Sequence, residues 1–232
     1  MNAHEFYTAF VRTAQESTLV TKEMLPSFPE AWGTATFLNL YRNNEPAYTE
    51  LVNKYIVHKI IKDAGMTAQH EYFRIDTVGW ITRYQEMENE AHKLDLSAHL
   101  WDLKIAVEHE NSKHDWTDEV IKLIHVKCPL KVVISYNYCD ERETTERKKL
   151  DFITNWMQEV KAFAKDSDEE YLLIFGIALT RKQKPITIPL TIVDICITGR
   201  RSASTGYRQH KRIREKHGMI LRWSHLVLCY II

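Results

Sequence analysis

The sequence predicts an α/β protein built on a mixed central β-sheet flanked by helices, with a helical flank at the N-terminus. Three observations carry this expectation. Residues 1–65 have helical periodicity, residues 71–198 interleave strand-like runs with helical ones, and no internal repeat or low-complexity linker divides the 232 residues. Helices placed between strands imply both parallel and antiparallel neighbours in one sheet. At 44% hydrophobic residues the chain has enough apolar material for one substantial core. It therefore reads as a single domain over 1–232: a helical flank over 1–65, a core over 45–198, and a basic and apolar tail over 199–232.

In chain order, "PSFPEAWGTATF" (26–37) breaks an earlier helix with two prolines. "PAYTELVNKYIVHKIIKDAG" (46–65) is then helical, with Leu51, Val52, Tyr55 and Ile56 on a helical period and Gly65 as the stop. "EYFRIDTVGWITRY" (71–84) is aromatic and β-branched, as a strand is. "QEMENEAHKLD" (85–95) reads as a solvated turn or loop, and "SAHLWDLKIAVEHEN" (97–111) as a second strand. "DWTDEVIKLIHVK" (115–127) puts Trp116, Val120 and Leu123 on one helical face, with Asp115 as N-cap. "LKVVISYN" (130–137) is a buried strand. "ERKKLDFITNWMQEVKAFAKD" (146–166) is a helix with Leu150, Ile153, Met157 and Val160 inward. Two further strands, 170–179 and 186–198, precede the tail.

Composition excludes several classes of function. Basic and acidic residues balance at 31 each, so any surface for a polyanion is a local patch. Only seven glycines occur, and neither GxGxxG nor GxxxxGK[ST] is present. Cys128, Cys139, Cys196 and Cys229 show no zinc-ligand spacing. The N-terminus lacks a basic region followed by a long apolar one, and the terminal "LVLCYII" falls short of the ~20 residues a membrane span needs. A reduced cytoplasmic protein with no membrane partner is expected.

The chemistry concentrates at "WDLKIAVEHEN" (101–111). Strand alternation puts Trp101, Leu103, Ile105, Val107 and His109 on one side as core, and Asp102, Lys104, Ala106, Glu108 and Glu110 on the other. Glu108 and Glu110, about 6.6 Å apart along the strand, can converge on a hard cation such as Mg²⁺. Asp76, in "RIDTVGW", ends the apolar part of the preceding strand, and a hairpin-like return sets it beside Glu108. Three carboxylates at neighbouring strand ends suit metal-assisted phosphodiester hydrolysis.

An acid on one strand, "VEHEN" closing the next, then a helix and a third apolar strand resemble the PD-(D/E)xK restriction-endonuclease-like superfamily, over about residues 45–137. The resemblance implies a restriction-endonuclease-like core and a Mg²⁺-dependent endodeoxyribonuclease, with Mn²⁺ able to substitute. It matches Asp76 to the family's first metal-binding acid and Glu108 to the acid opening the tripeptide. Glu110 stands where the family usually carries lysine, an ExE variant found in some restriction enzymes; it is read as a further metal ligand or the group orienting the attacking water. Lys122, on the next helix, occupies a place where a displaced catalytic residue is sometimes found, and Glu50 resembles the acid of the family's first core helix. A catalytically inactive DNA-binding or assembly module of the same fold is the alternative.

Lys104, about 13 Å from Glu108 along the strand, is placed to touch a phosphate. The segment 199–218 gathers Arg200, Arg201, Arg208, Lys211, Arg212, Arg214 and Lys216 against one acid, Glu215, and is either a phosphate-backbone contact or a surface tail. DNA is thus the expected partner, and a homodimer is compatible with double-strand cutting. His109 reads as a packed core histidine. The final "MILRWSHLVLCYII" is either a last strand or helix on the core or an apolar partner patch.

Overall fold

A computed structural model describes residues 1–34, 38–96, 101–112, 115–138, 169–178 and 227–231, together with helical residues between 148 and 159 that include Ile153 and Met157. Its centre is a six-stranded mixed sheet: β1 (Thr67–Tyr72), β2 (Ile75–Arg83), β3 (Trp101–Glu110), β4 (Leu130–Tyr138), β5 (Glu170–Ala178) and β6 (Val227–Ile231), side by side in that order. β1, β2 and β3 run antiparallel in succession. β3, β4 and β5 are parallel, and β6 returns antiparallel to β5. The α/β class and the N-terminal helical flank are as the sequence predicts.

Helices cover both faces. On one, α1 (Ala3–Glu16) and the run α3 (Glu45–Glu50), a π-helical stretch (Leu51–Val57) and α4 (His58–Asp63) pack against Ile105, Val107, Val132, Ile134, Leu172 and Ile174; α2 (Leu38–Asn43) precedes them. On the other, α6 (Trp116–Ile124) buries Trp116, Val120 and Leu123 against Ala106, Val133, Leu173 and Phe175, with Ile153 and Met157 beside them. Asp115 holds the N-cap position of α6 without a side-chain hydrogen bond. Strands buried on both faces explain why β4 and β5 read as continuous apolar runs. The long helix approaches β2 closely because Gly79 has no side chain: a Cβ there would lie 2.5 Å from Ile105 Cγ2 and 2.9 Å from Ile61 Cγ2.

Several expectations are corrected. The single strand expected over 71–84 is a hairpin whose turn is Phe73–Arg74, both at positive φ (49° and 63°), so Asp76 opens β2 rather than closing a strand. The loop expected over 85–95 is a helix, α5 (Gln85–Lys93), with Glu86 and Glu88 in its first turn and His92 and Lys93 in its last, complementing the helix dipole. Arg83 anchors it, donating to the buried Glu88 at 2.8 Å through Nε. Leu103 packs with the α6 side rather than with Ile105, because the β2–β3 register shifts after Gly79 and breaks the alternation. Within the C-terminal run, Val227–Ile231 forms a last strand, β6, and the remainder of 219–232 lies outside the described residues. The strand expected over 186–198 lies outside the described residues. No helix among the described residues is long and apolar enough to cross a membrane.

Candidate metal and phosphodiester site

β3 is the inner strand at which the sheet changes from antiparallel to parallel, and its apolar core Ile105–Val107 carries Glu108 into the interior, where it is 1% exposed. The β2–β3 register pairs Thr77 with Val107, so Asp76, one residue earlier in β2, arrives level with Glu108. The Asp76 backbone N–H points at Glu108 Oε2 (3.4 Å), and Asp76 Oδ2 accepts from the His109 N–H at 2.7 Å. Two carboxylates thus share the end of one strand pair.

Burial sets their electrostatics. It raises the Asp76 carboxyl above its ordinary value, against the pull of the His109 N–H, Lys122 and an Asn53 side-chain hydrogen bond. Burial raises Glu108 more strongly, and the charges of Asp76 and Glu119 add to the effect. Lys122 opposes it from α6: its Nζ lies 2.8 Å from Glu108 Oε1 and 2.5 Å from Glu119 Oε2, and donates to the Arg74 carbonyl at 3.0 Å. One ammonium therefore ties strand, helix and hairpin turn together. Desolvation outweighs its attraction for Glu108 because Lys122 is itself one-third open to water, where charge is screened.

On the helical side, Asp76 also lines a cleft of about 480 Å³ together with Thr49, Glu50, Asn53, Lys54 and His70. Asn53 belongs to the π-helical stretch, a conformation often associated with functional positions, and is 9% exposed. Among the described residues its buried Oδ1 has no hydrogen-bond partner. Glu50 is ion-paired to Lys54 at 3.1 Å.

Of the residues singled out from sequence, the structure brings Asp76, Glu108 and Lys122 together. Glu110 turns back on its own chain, its Oε1 accepting from the Ser112 N–H at 2.5 Å. Lys104 lies one residue before the Ile105↔Leu130 rung, toward Cys128 and away from Glu108. Arg200, Arg201, Arg208, Lys211 and Arg212 lie outside the described residues. His109 is the core histidine expected: burial pushes its pKa down to about 3, so it is neutral. Its Nε2 lies 2.8 Å from the Tyr136 hydroxyl, which accepts from the Tyr48 hydroxyl at 2.7 Å. Asn53 and this buried Tyr48–Tyr136–His109 chain escape a reading of the sequence, since each is assembled from separate elements.

Asp76 and Glu108 are the residues that could hold a divalent cation, with the Lys122 ammonium at present on Glu108 Oε1. A buried and a half-buried carboxylate near one another repel, and a cation held by both would offset that penalty; Mg²⁺ commonly takes one or two carboxylates and keeps water in its other positions. Among the described residues no three acids, histidines or cysteines are gathered as a fuller cage. No protein-family model matches the chain, and no curated protein or solved structure matches it.

Proposed function

We propose that this chain is a divalent-metal-dependent nuclease that hydrolyses DNA phosphodiester bonds, using Mg²⁺ with Mn²⁺ as a substitute. The observation that carries the reading is the buried carboxylate of Glu108 beside the half-buried carboxylate of Asp76, with the ammonium of Lys122 bonded to both Glu108 and the hairpin turn. Asp76 and Glu108 hold the cation, which when bound supplies a water of lowered pKa and offsets charge growing on the phosphate. The His109 N–H fixes the Asp76 carboxylate, and the Asn53 side chain favours its ionised form. Lys122 supplies, from α6, the positive charge that the PD-(D/E)xK resemblance places at the position held here by Glu110. It steadies the attacking water and the phosphate oxygens beside Glu108. Glu110, held by the Ser112 N–H, takes no part in holding the cation. The basic 199–218 segment grips the phosphate backbone, and two copies of the chain make a double-strand cut.

Supercoiled plasmid incubated with Mg²⁺, Mn²⁺ or EDTA tests this, with Glu108→Ala beside the unaltered chain. Metal-dependent nicking that disappears in the variant is expected. Absence of nicking under every metal condition refutes it.

One observation favours a second reading. Glu108 already has a cationic partner in Lys122, as a non-catalytic DNA-binding or assembly module of the same fold would need. That reading requires DNA binding without turnover, unaffected by Glu108→Ala.

A further inference from the structure

The β1–β2 turn presents a feature the fold does not require. A two-residue hairpin with both central residues left-handed is served without strain by Asn-Gly. Here it is Phe73-Arg74, so an aromatic side chain is held in a conformation that L-residues adopt at a cost. The ring gains almost nothing from burial, being 80% exposed. Its contact within the fold is edge-on to Tyr72, with centroids 4.7 Å apart. Backbone strain of this kind persists where the surroundings hold it in place, and Lys122 does so by bonding the Arg74 carbonyl.

Phe73 also begins a row of rings. Tyr72 lies 4.7 Å from Trp101 at a 30° tilt, and Trp101 stacks on Trp80 at 5.2 Å and 18°. The β2–β3 pairing is irregular after Gly79, on the stretch that carries Trp80 and Trp101. The row therefore starts in solvent, three residues from Asp76 in the chain, next to Arg74, whose carbonyl accepts from the Lys122 ammonium.

We infer that Phe73 is a stacking site for a nucleobase of the DNA strand whose phosphate occupies the Asp76–Glu108 site. A flat exposed ring backed by further rings binds any base through its π-face, and the neighbouring Arg74 and Lys122 complement the backbone phosphates on either side. An unpaired or frayed strand is the ligand, because a base inside a duplex has both faces covered. This inference rests on the nuclease reading.

The test compares the full chain with Phe73→Asn and Phe73→Trp in EDTA, where no cleavage occurs. Binding of a single-stranded oligonucleotide is followed by anisotropy, and stacking by quenching of 2-aminopurine placed at successive positions. Asparagine tolerates the left-handed turn, so Phe73→Asn raises the melting temperature while weakening binding about 5- to 150-fold, the equivalent of the ~1–3 kcal/mol of one stacked base. Quenching is lost in Phe73→Asn and kept in Phe73→Trp. Equal affinity and quenching in the unaltered chain and Phe73→Asn overturn the inference, as does failure of the unaltered chain to bind the oligonucleotide. Metal-dependent plasmid nicking that continues alongside either result leaves the nuclease reading standing, and its absence removes both.

Discussion

Lys122→Met isolates the electrostatics of the site. The substitution keeps the length of the stem and removes the ammonium 2.8 Å from Glu108 Oε1. Removing one partner of a fully buried ion pair costs about 3–5 kcal/mol. Lys122 is 33% exposed, so part of its charge is already screened by water, and Glu108 can take up a proton instead of remaining ionised. Both effects lower the expected loss to about 2 kcal/mol, near the middle of the cost of an unsatisfied buried polar group. For a domain of this size that is a fall in melting temperature of about 4–8 °C. The sign with pH follows from the direction of the shift. Glu108 titrates above its ordinary 4.5 in the folded protein, and losing the ammonium raises it further. A carboxyl raised on folding destabilises progressively as pH climbs from its unfolded value to its folded one. Parent and variant share that loss up to about pH 8, where Glu108 is protonated in both folded chains, so the part of the variant's deficit due to Glu108 opens only above about pH 8 and grows as the pH climbs towards the variant's still higher folded value. Adding Glu108→Gln removes the ionisable group, so the double variant melts above Lys122→Met at high pH and loses the pH dependence. Calorimetric melting across this range is the assay. A Lys122→Met deficit that is flat with pH, or that persists in the double variant, refutes the reasoning.

Asn53→Ala removes a side-chain amide that favours the ionised form of Asp76, and titration calorimetry is expected to show Mn²⁺ affinity reduced about 10- to 100-fold, as for other groups that orient a metal ligand; unchanged affinity removes Asn53 from the site. Tyr136→Phe deprives buried His109 Nε2 of its hydroxyl partner, and urea unfolding should register a loss of about 1–3 kcal/mol. Gly79→Ala drives a methyl group into Ile105 and Ile61 and is expected to cost about 1–3 kcal/mol by the same measurement, where a neutral result would show that the helix can retreat from β2.

The elements legible in the sequence are those whose patterns are imposed by burial. β3, β4, β5 and the inner face of α6 are apolar where they meet a helical layer or a neighbouring strand, and Glu108 stands out because it interrupts such a run. The β1–β2 hairpin was illegible because Phe73-Arg74 carries neither glycine nor asparagine, the usual sign of a left-handed turn. α5 was illegible because it is polar nearly all round and is held by Arg83 and Glu88 rather than by an apolar stripe. In the site, strand alternation places Glu108 and Glu110 on one side, but the Ser112 N–H captures Glu110 through a local bond that periodicity cannot reveal. Asn53 was hidden for a different reason: its direction is set by a π-helical stretch, whereas sequence patterns assume 3.6 residues per turn.

That stretch has a consequence for how the chain tolerates change. With i→i+5 bonding over Leu51–Val57, the helical segment after it is turned relative to where an uninterrupted α-helix would set it. Tyr48, before the stretch, meets Tyr136, and Ile61, beyond it, lies against Gly79. Both contacts depend on the angle accumulated between them. Deleting one residue there would leave a helix of good local propensity whose two ends no longer address their partners together. The number of residues between Tyr48 and Ile61 thus acts as a constraint of its own, fixed by rotation about the helix axis and largely indifferent to which side chains fill the interval.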